Sequence, residues 1–247
     1  MASFIDRSNT LFVLLSTREV IGMAMNKNTK LIIFDCDGVL IDSEIISATV
    51  LIETLRELSV DIDIQYVQRH FLGCSFKSVR EKILDNFDVS LPTAFESEYR
   101  AVLLEQFRRE LQPTEGIEAL LAGLKLEFCV ATSSSPERTS EALRVSGLAQ
   151  FFAAKVFTAE EVKLGKPAPD LFLHAAREMG VLPNECLVIE DSLAGVTAAS
   201  SAGMQVIHYT GGRHLSGSSS TVLEAFPDVP VLQHWKNFAD LLPVINR

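Results

Sequence analysis

Apolar positions along this chain follow two rhythms. Apolar runs such as Leu31–Phe34, Phe128–Ala131 and Leu187–Ile189 mark strands predicted over residues 30–34, 128–132, 187–190 and 205–208, and a shorter strand is predicted at 155–157. Between them, apolar residues recur every three or four positions, which is the spacing of one helix face. That spacing predicts helices over 114–124, 136–145, 169–179 and 193–202. A strand that reads as unbroken apolar sequence is covered on both faces, as in a parallel sheet flanked by helices. Strand alternating with helix therefore predicts an α/β fold, a doubly wound parallel sheet.

The rhythm changes after the first strand. Asp42 and Ser43 are good helix N-caps, and Ile45, Ile46, Thr49, Val50, Ile52 and Leu55 continue at helical spacing to about Ser59. Further helices are predicted over 65–70, 75–87 and 93–111, with little strand character between them. Residues 43–111 thus read as an inserted all-helical domain. It divides the core into residues 25–42 and 112–247, with crossings near 41–44 and 111–115. Residues 210–220 are expected to be a flexible loop by composition, and 236–242 a final helix.

Composition narrows the class. At 247 residues and 47% apolar content the chain can bury a sizeable core. A net charge of −10 and a pI near 5.0 exclude a nucleic-acid surface, which needs clustered lysine and arginine. Cys36, Cys74, Cys129 and Cys186 lack zinc-like spacing and read as reduced residues of a cytoplasmic protein. No run reaches the roughly 18 apolar residues that span a bilayer. The apolar burst at 11–15 is broken by Thr17, Arg18 and Glu19 before any small-residue cleavage site, so a signal peptide is not expected. Residues 1–24 are instead expected to be a disordered, dispensable extension, with translation naturally starting at Met25.

Chemistry collects where strands stop. The first run ends in Asp35-Cys36-Asp37-Gly38, and the one at 187–190 ends in Glu190-Asp191-Ser192. Ligands of open parallel sheets gather beyond such ends. Asp and Gly are also ordinary turn residues, so neither stretch decides anything alone. Two close carboxylates do, however, require a divalent cation or a shared proton. The run at 128–132 ends in Thr132-Ser133-Ser134-Ser135-Pro136, a hydroxyl followed by a helix start that could also be plain capping. Lys166 sits between Gly165 and Pro167 in a stiff loop that lowers the entropic cost of presenting an ammonium group. Together these groups suit a magnesium ion and a phosphate, with an aspartate carboxylate as nucleophile.

Asp35-Cys36-Asp37-Gly38-Val39-Leu40, Thr132, Lys166-Pro167 and Glu190-Asp191-Ser192 resemble, in order, the four motifs of the haloacid dehalogenase superfamily. The helical insertion resembles the small cap of its phosphatase and β-phosphoglucomutase branch. The Asp-Cys-Asp-Gly, Asp-Ser-Glu and Phe-Leu-Gly wording is most similar to bacterial sugar phosphatases of the phosphogluconate type. The resemblance implies Asp35 as nucleophile and Mg²⁺ ligand. It implies Asp37 as general acid and then base, with its main-chain carbonyl on the metal. Thr132, Ser133 and Lys166 are implied to bind the phosphoryl group, and Asp191 and Glu190 the metal. The implied partner is a small phosphoester, met by a monomer or weak homo-oligomer.

Two rival functions remain to be weighed. A hexose-phosphate mutase of the same branch carries a histidine ten residues after the second aspartate, where this chain has Ser47, and Phe76 stands near the place of the mutase's cap arginine. Hydrolysis is therefore the expected outcome. A non-catalytic phospho-acceptor module would also use strand-end acids and a lysine, but has no need of a helical lid. Substrate choice is expected to lie in the cap, at His70, Gly73, Ser75 and Lys77.

Overall fold

The computed structural model describes residues 28–71, 74, 76–215 and 221–238. Six parallel strands form one sheet: β1 (Leu31–Phe34), β2 (Glu127–Thr132), β3 (Val156–Thr158), β4 (Cys186–Glu190), β5 (Gln205–Tyr209) and β6 (Val231–Leu232). Their order across the sheet is β3-β2-β1-β4-β5-β6. β1 is central, with Ile33 beside Cys129 of β2 and Val188 of β4. Every residue of β1 and β4 is buried, which explains the unbroken apolar runs.

Successive side chains of β1 point to opposite faces, and each face has its own core. Ile32 and Phe34 pack with Val130, Ile189 and Trp235, under α6 (Pro136–Val145). Leu31 and Ile33 pack with Cys129 and Val188, under α8 (Asp170–Glu178) and α9 (Leu193–Ser201). Between α6 and β3 lies a one-turn helix, α7 (Ala149–Phe152), too short to leave a periodicity.

The chain leaves this sheet after β1 to form α1 (Glu44–Glu57), α2 (Ile64–His70), α3 (Phe76–Phe87) and α4 (Phe95–Glu110). These helices bury a separate cluster that includes Leu51, Leu55, Val67, Phe71, Val79 and Ile83. The two crossings run side by side. Ile41 pairs antiparallel with Pro113, Asp42 N donates to Gln112 O (3.1 Å), and Thr114 N donates to Leu40 O (2.9 Å).

Several elements differ from the sequence expectation. The helix predicted from Thr114 begins later, as α5 (Ile117–Gly123), because Gly116 takes φ +89° and the Thr114 hydroxyl is spent on Val39 O at 2.7 Å. Residues 210–215 are not a free loop. They include a 3-10 turn, Arg213–Leu215, whose His214 is only 5% exposed. Residues 216–220 and the 1–24 extension lie outside the described residues. Where a final helix was expected, Trp235–Asn237 forms a 3-10 turn with Trp235 stacked on Tyr209 at 4.3 Å, and residues 239–242 lie outside the described residues. Before that turn, α10 (Thr221–Ala225) packs on α9. Cys36, Cys129 and Cys186 are buried free thiols, and Cys74 is half-buried. Among the described residues no helix is long and apolar enough to cross a membrane.

Candidate active site

β2, β1 and β4 are neighbours and all point the same way, so their ends share one rim. Asp35 follows β1, Thr132 ends β2, Glu190 ends β4 and Asp191 follows it. Lys166 enters from the loop after β3, through a cis peptide bond to Pro167. Its ammonium donates to Asp35 Oδ1 (2.5 Å), Glu190 Oε1 (2.8 Å) and Ala131 O (3.0 Å), and lies 4.8 Å from the centre of the Phe172 ring. Burial alone would lower its pKa, but Asp35 and Glu190 outweigh burial and raise it.

One lysine does not neutralise this rim. Asp35, Glu190 and Asp191 are all buried, and one carboxylate oxygen from each lies within 4.8 Å of the others. Burial raises the pKa of Asp35 well above the usual range against the pull of Lys166, with Glu190, Asp191 and Asp37 adding to it. Burial and Glu190 do the same to Asp191. An all-oxygen, charge-deficient set of this kind fits a hard divalent cation such as Mg²⁺. Two glycines permit the crowding. A Cβ at Gly38, which has φ +75°, would fall 1.9 Å from Asp191 Oδ2, and one at Gly195 would fall 1.7 Å from Glu190 Oε1. Glu190 is further held by Ser192, its Oε2 accepting from Ser192 N (2.7 Å) and Ser192 Oγ (3.0 Å).

Asp37 faces a different set of donors. Its Oδ1 accepts from Ser43 Oγ (2.5 Å) and Arg138 Nη2 (2.7 Å), and its Oδ2 from Ser134 Oγ (2.7 Å) and Arg138 Nη1 (3.2 Å). Thr132 is buried, its hydroxyl accepting from Ser134 N at 3.1 Å, and Ser133 lies exposed at the pocket wall. Asp35, Asp37, Thr132, Ser133, Ser134, Arg138, Lys166, Glu190 and Asp191 line one continuous pocket between the sheet rim and the helical block.

The helical wall is not the one the sequence suggested. His70 and Lys77 are exposed and do not line the pocket. His70 lies over Tyr66 with ring centres 4.3 Å apart, and Lys77 lies 4.0 Å from Glu81. The reason is helical phase: Val67 and Phe71 turn inward around His70, and Phe76 and Val79 around Lys77. Gly73 and Ser75 lie outside the described residues. The polar part of the wall comes from Glu44, Ser47, Arg100 and Arg138, of which only Ser47 was considered from sequence. Burial and Asp37 push the Glu44 carboxyl up to about 8. His214 was also missed. Its Nε2 lies 3.1 Å from Asp191 Oδ2, and burial lowers its pKa.

Comparison with known proteins agrees with this geometry. The family model for haloacid dehalogenase-like hydrolases matches residues 29–203. The chain is 29% identical over 184 residues to 6-phosphogluconate phosphatase of Escherichia coli K12, covering 74% of this chain and 83% of that protein. It is 30% identical over 178 residues to fructose-1-phosphate phosphatase of the same strain, covering 71% of this chain and 94% of that one. A solved haloacid dehalogenase-like protein of Agrobacterium tumefaciens superposes with a TM-score of 0.76 at 30% identity, covering 89% of this chain and all of that one (100%). Motif order, sheet topology and these likenesses converge: the chain belongs to the haloacid dehalogenase-like hydrolase family.

Proposed function

We propose that the protein is a Mg²⁺-dependent phosphatase of small phosphorylated metabolites, a sugar phosphate or phosphorylated sugar acid, acting through an aspartyl-phosphate intermediate. The observation that carries this reading is the buried bridge from Lys166 to Asp35 and Glu190, with Asp191 within 4.8 Å. Asp35 and Asp191 would hold the metal with the Asp37 main-chain carbonyl, and Glu190 would stand behind them, its oxygens already engaged. Bound there, Mg²⁺ would draw charge from the phosphoryl oxygens and offset the excess carboxylates.

The chain's own groups do the rest. Asp35 attacks phosphorus, and Lys166 holds its carboxylate in line while meeting a phosphoryl oxygen. The Thr132 hydroxyl and the Ser133 and Asp37 amides cradle the other oxygens. Asp37 gives a proton to the leaving oxygen and then takes one from the water that cleaves the acyl phosphate. Residues 43–111 act as a lid whose apolar wall excludes bulk water. Phosphate release from a panel of sugar phosphates, phosphorylated sugar acids, phosphoglycolate and nucleotides in Mg²⁺ tests this reading. Release of none would end it.

Hydrolysis is favoured over a phosphomutase because Ser47, at the mutase histidine position, is tied to Arg138 Nη2 (3.1 Å) and Ser43 O (2.9 Å). A phospho-acceptor module would retain its aspartyl phosphate and release almost no phosphate, an outcome the same panel would reveal.

A further inference from the structure

The phosphatase reading leaves two arginines without a task. Arg138, from the first turn of α6, and Arg100, from α4, both line the pocket on the leaving-group side, outside the Thr132, Ser133 and Lys166 cradle. They are anchored to consecutive residues. Arg100 Nη1 donates to Ser135 Oγ (2.5 Å), and Arg138 Nη1 donates to Ser134 Oγ. A second, small cavity beside both heads is walled by Leu103, Leu104 and Glu137. The Nε of Arg138 is buried with no hydrogen-bond partner.

We propose that Arg100 and Arg138 form a subsite for a second anionic group, a carboxylate carried by the leaving group of the phosphomonoester. This rests on the phosphatase reading and names its substrate class as phosphorylated sugar acids. Arg138 now spends both terminal nitrogens on Asp37. When Asp37 turns to the leaving oxygen those bonds are given up, and a guanidinium with only 18% of its side chain exposed needs another anion. A planar fork matches a carboxylate in two-point fashion. Among the described residues Arg100 is ion-paired with Glu96, through Nε (3.0 Å) and Nη2 (2.6 Å), at a partly exposed site. Glu44 faces the same space but its raised pKa leaves it largely protonated at neutral pH, so it opposes an incoming anion weakly. Leu51, Phe71, Phe76 and Val79 of the same wall are apolar and bring no charge of their own.

The test is calorimetric titration of the Asp35→Asn protein, in Mg²⁺, with 6-phosphogluconate and with sorbitol 6-phosphate. The two ligands share one open carbon chain and differ in carboxylate against hydroxymethyl. The acid is expected to bind more tightly by about tenfold or more, the scale of one charge-assisted contact. Adding Arg100→Gln, or separately Arg138→Lys, should shrink that ratio to about threefold or less. If Arg100 were only a latch between α4 and α6, its loss would weaken both ligands alike and preserve the ratio. Equal affinities, a ratio that survives both substitutions, or failure of the acid to bind would each overturn the subsite. The phosphatase reading is judged separately, by phosphate release from the wild-type protein.

Discussion

Lys166 Nζ stands 2.5 Å from Asp35 Oδ1 although 131 positions separate the two residues. The ion pair is almost wholly buried, with the lysine side chain 3% exposed. Removing one partner of such a pair leaves an uncompensated charge, which costs far more than the intact pair contributes. Lys166→Met should lower metal-free stability by about 3 kcal/mol, read from urea unfolding, and should reduce turnover by about a thousandfold. Wild-type stability in this variant would mean that the ammonium is not what holds Asp35 and Glu190 together.

Asp35→Asn should abolish phosphate release, because a carboxamide is a poor nucleophile. Asp37→Asn keeps the nucleophile and should slow both the proton transfer to the leaving group and the attack of water, by about a hundredfold or more. Rapid-quench measurement of the phosphoenzyme separates the two: none in Asp35→Asn, slow formation and slow decay in Asp37→Asn. Near-normal steady-state rates in either variant would remove the assigned role.

Metal removal has a thermal readout as well as a kinetic one. EDTA should silence turnover and Mg²⁺ restore it. Because three buried carboxylates crowd the rim, Mg²⁺ should also raise the melting temperature of the wild-type protein. The same addition should do much less for Asp191→Asn. A melting temperature indifferent to Mg²⁺ in the wild type would contradict the proposed ligand set.

Glu44 makes stability depend on pH. Its carboxyl is pushed from an ordinary 4.5 up to about 8, so between those values the native protein holds a proton that the unfolded chain has released. This contribution is complete below pH 4.5 and is lost as pH rises through 8. Glu44→Gln cannot ionise, so it should match the wild type under acid conditions. At about pH 8.5 it should be the more stable by about 1 kcal/mol, a figure discounted for partial exposure. A stability difference that does not change with pH would refute the shift.

Gly195→Ala should be costly for a single methyl group. The added carbon would meet Glu190 Oε1 at 1.7 Å, with Glu190 held in place by Lys166 and Ser192. A loss of about 3 kcal/mol is expected, with weakened Mg²⁺ binding. Ala at Gly123, whose Cβ position is open, is the control.

What the sequence made legible follows from the physics of each element. β1 and β4 could be read because burial on both faces writes itself as unbroken apolar sequence. The rim acids could be read because two acidic strand ends, a strand-end hydroxyl and a loop lysine occur together, although each alone would pass for a turn or a cap. β6, two residues long, and α7, one turn, are too short to carry a period. Arg138, in Pro136-Glu137-Arg138-Thr139, was not singled out. Yet it follows the N-cap Ser135 by three positions, where the helix dipole disfavours positive charge. That mismatch was the available sign that something else holds it there. His214 was hidden because Gly211-Gly212 reads as flexibility, whereas a Cβ at Gly212 would press on the His214 ring at 2.7 Å. His70 and Lys77 were misjudged because loop proximity says nothing of helical phase.

The antiparallel stitch between Ile41 and Pro113 has an architectural consequence. All the chain between those residues departs and returns through one doorway whose two jambs are bonded to each other. Whatever hangs from that doorway can grow, shrink or be exchanged at small entropic cost, and no strand of the sheet needs to shift register. The rim can thus keep one chemistry while the overhanging helices are rewritten for a new clientele, which makes this part of the molecule the natural place for specificity to diverge.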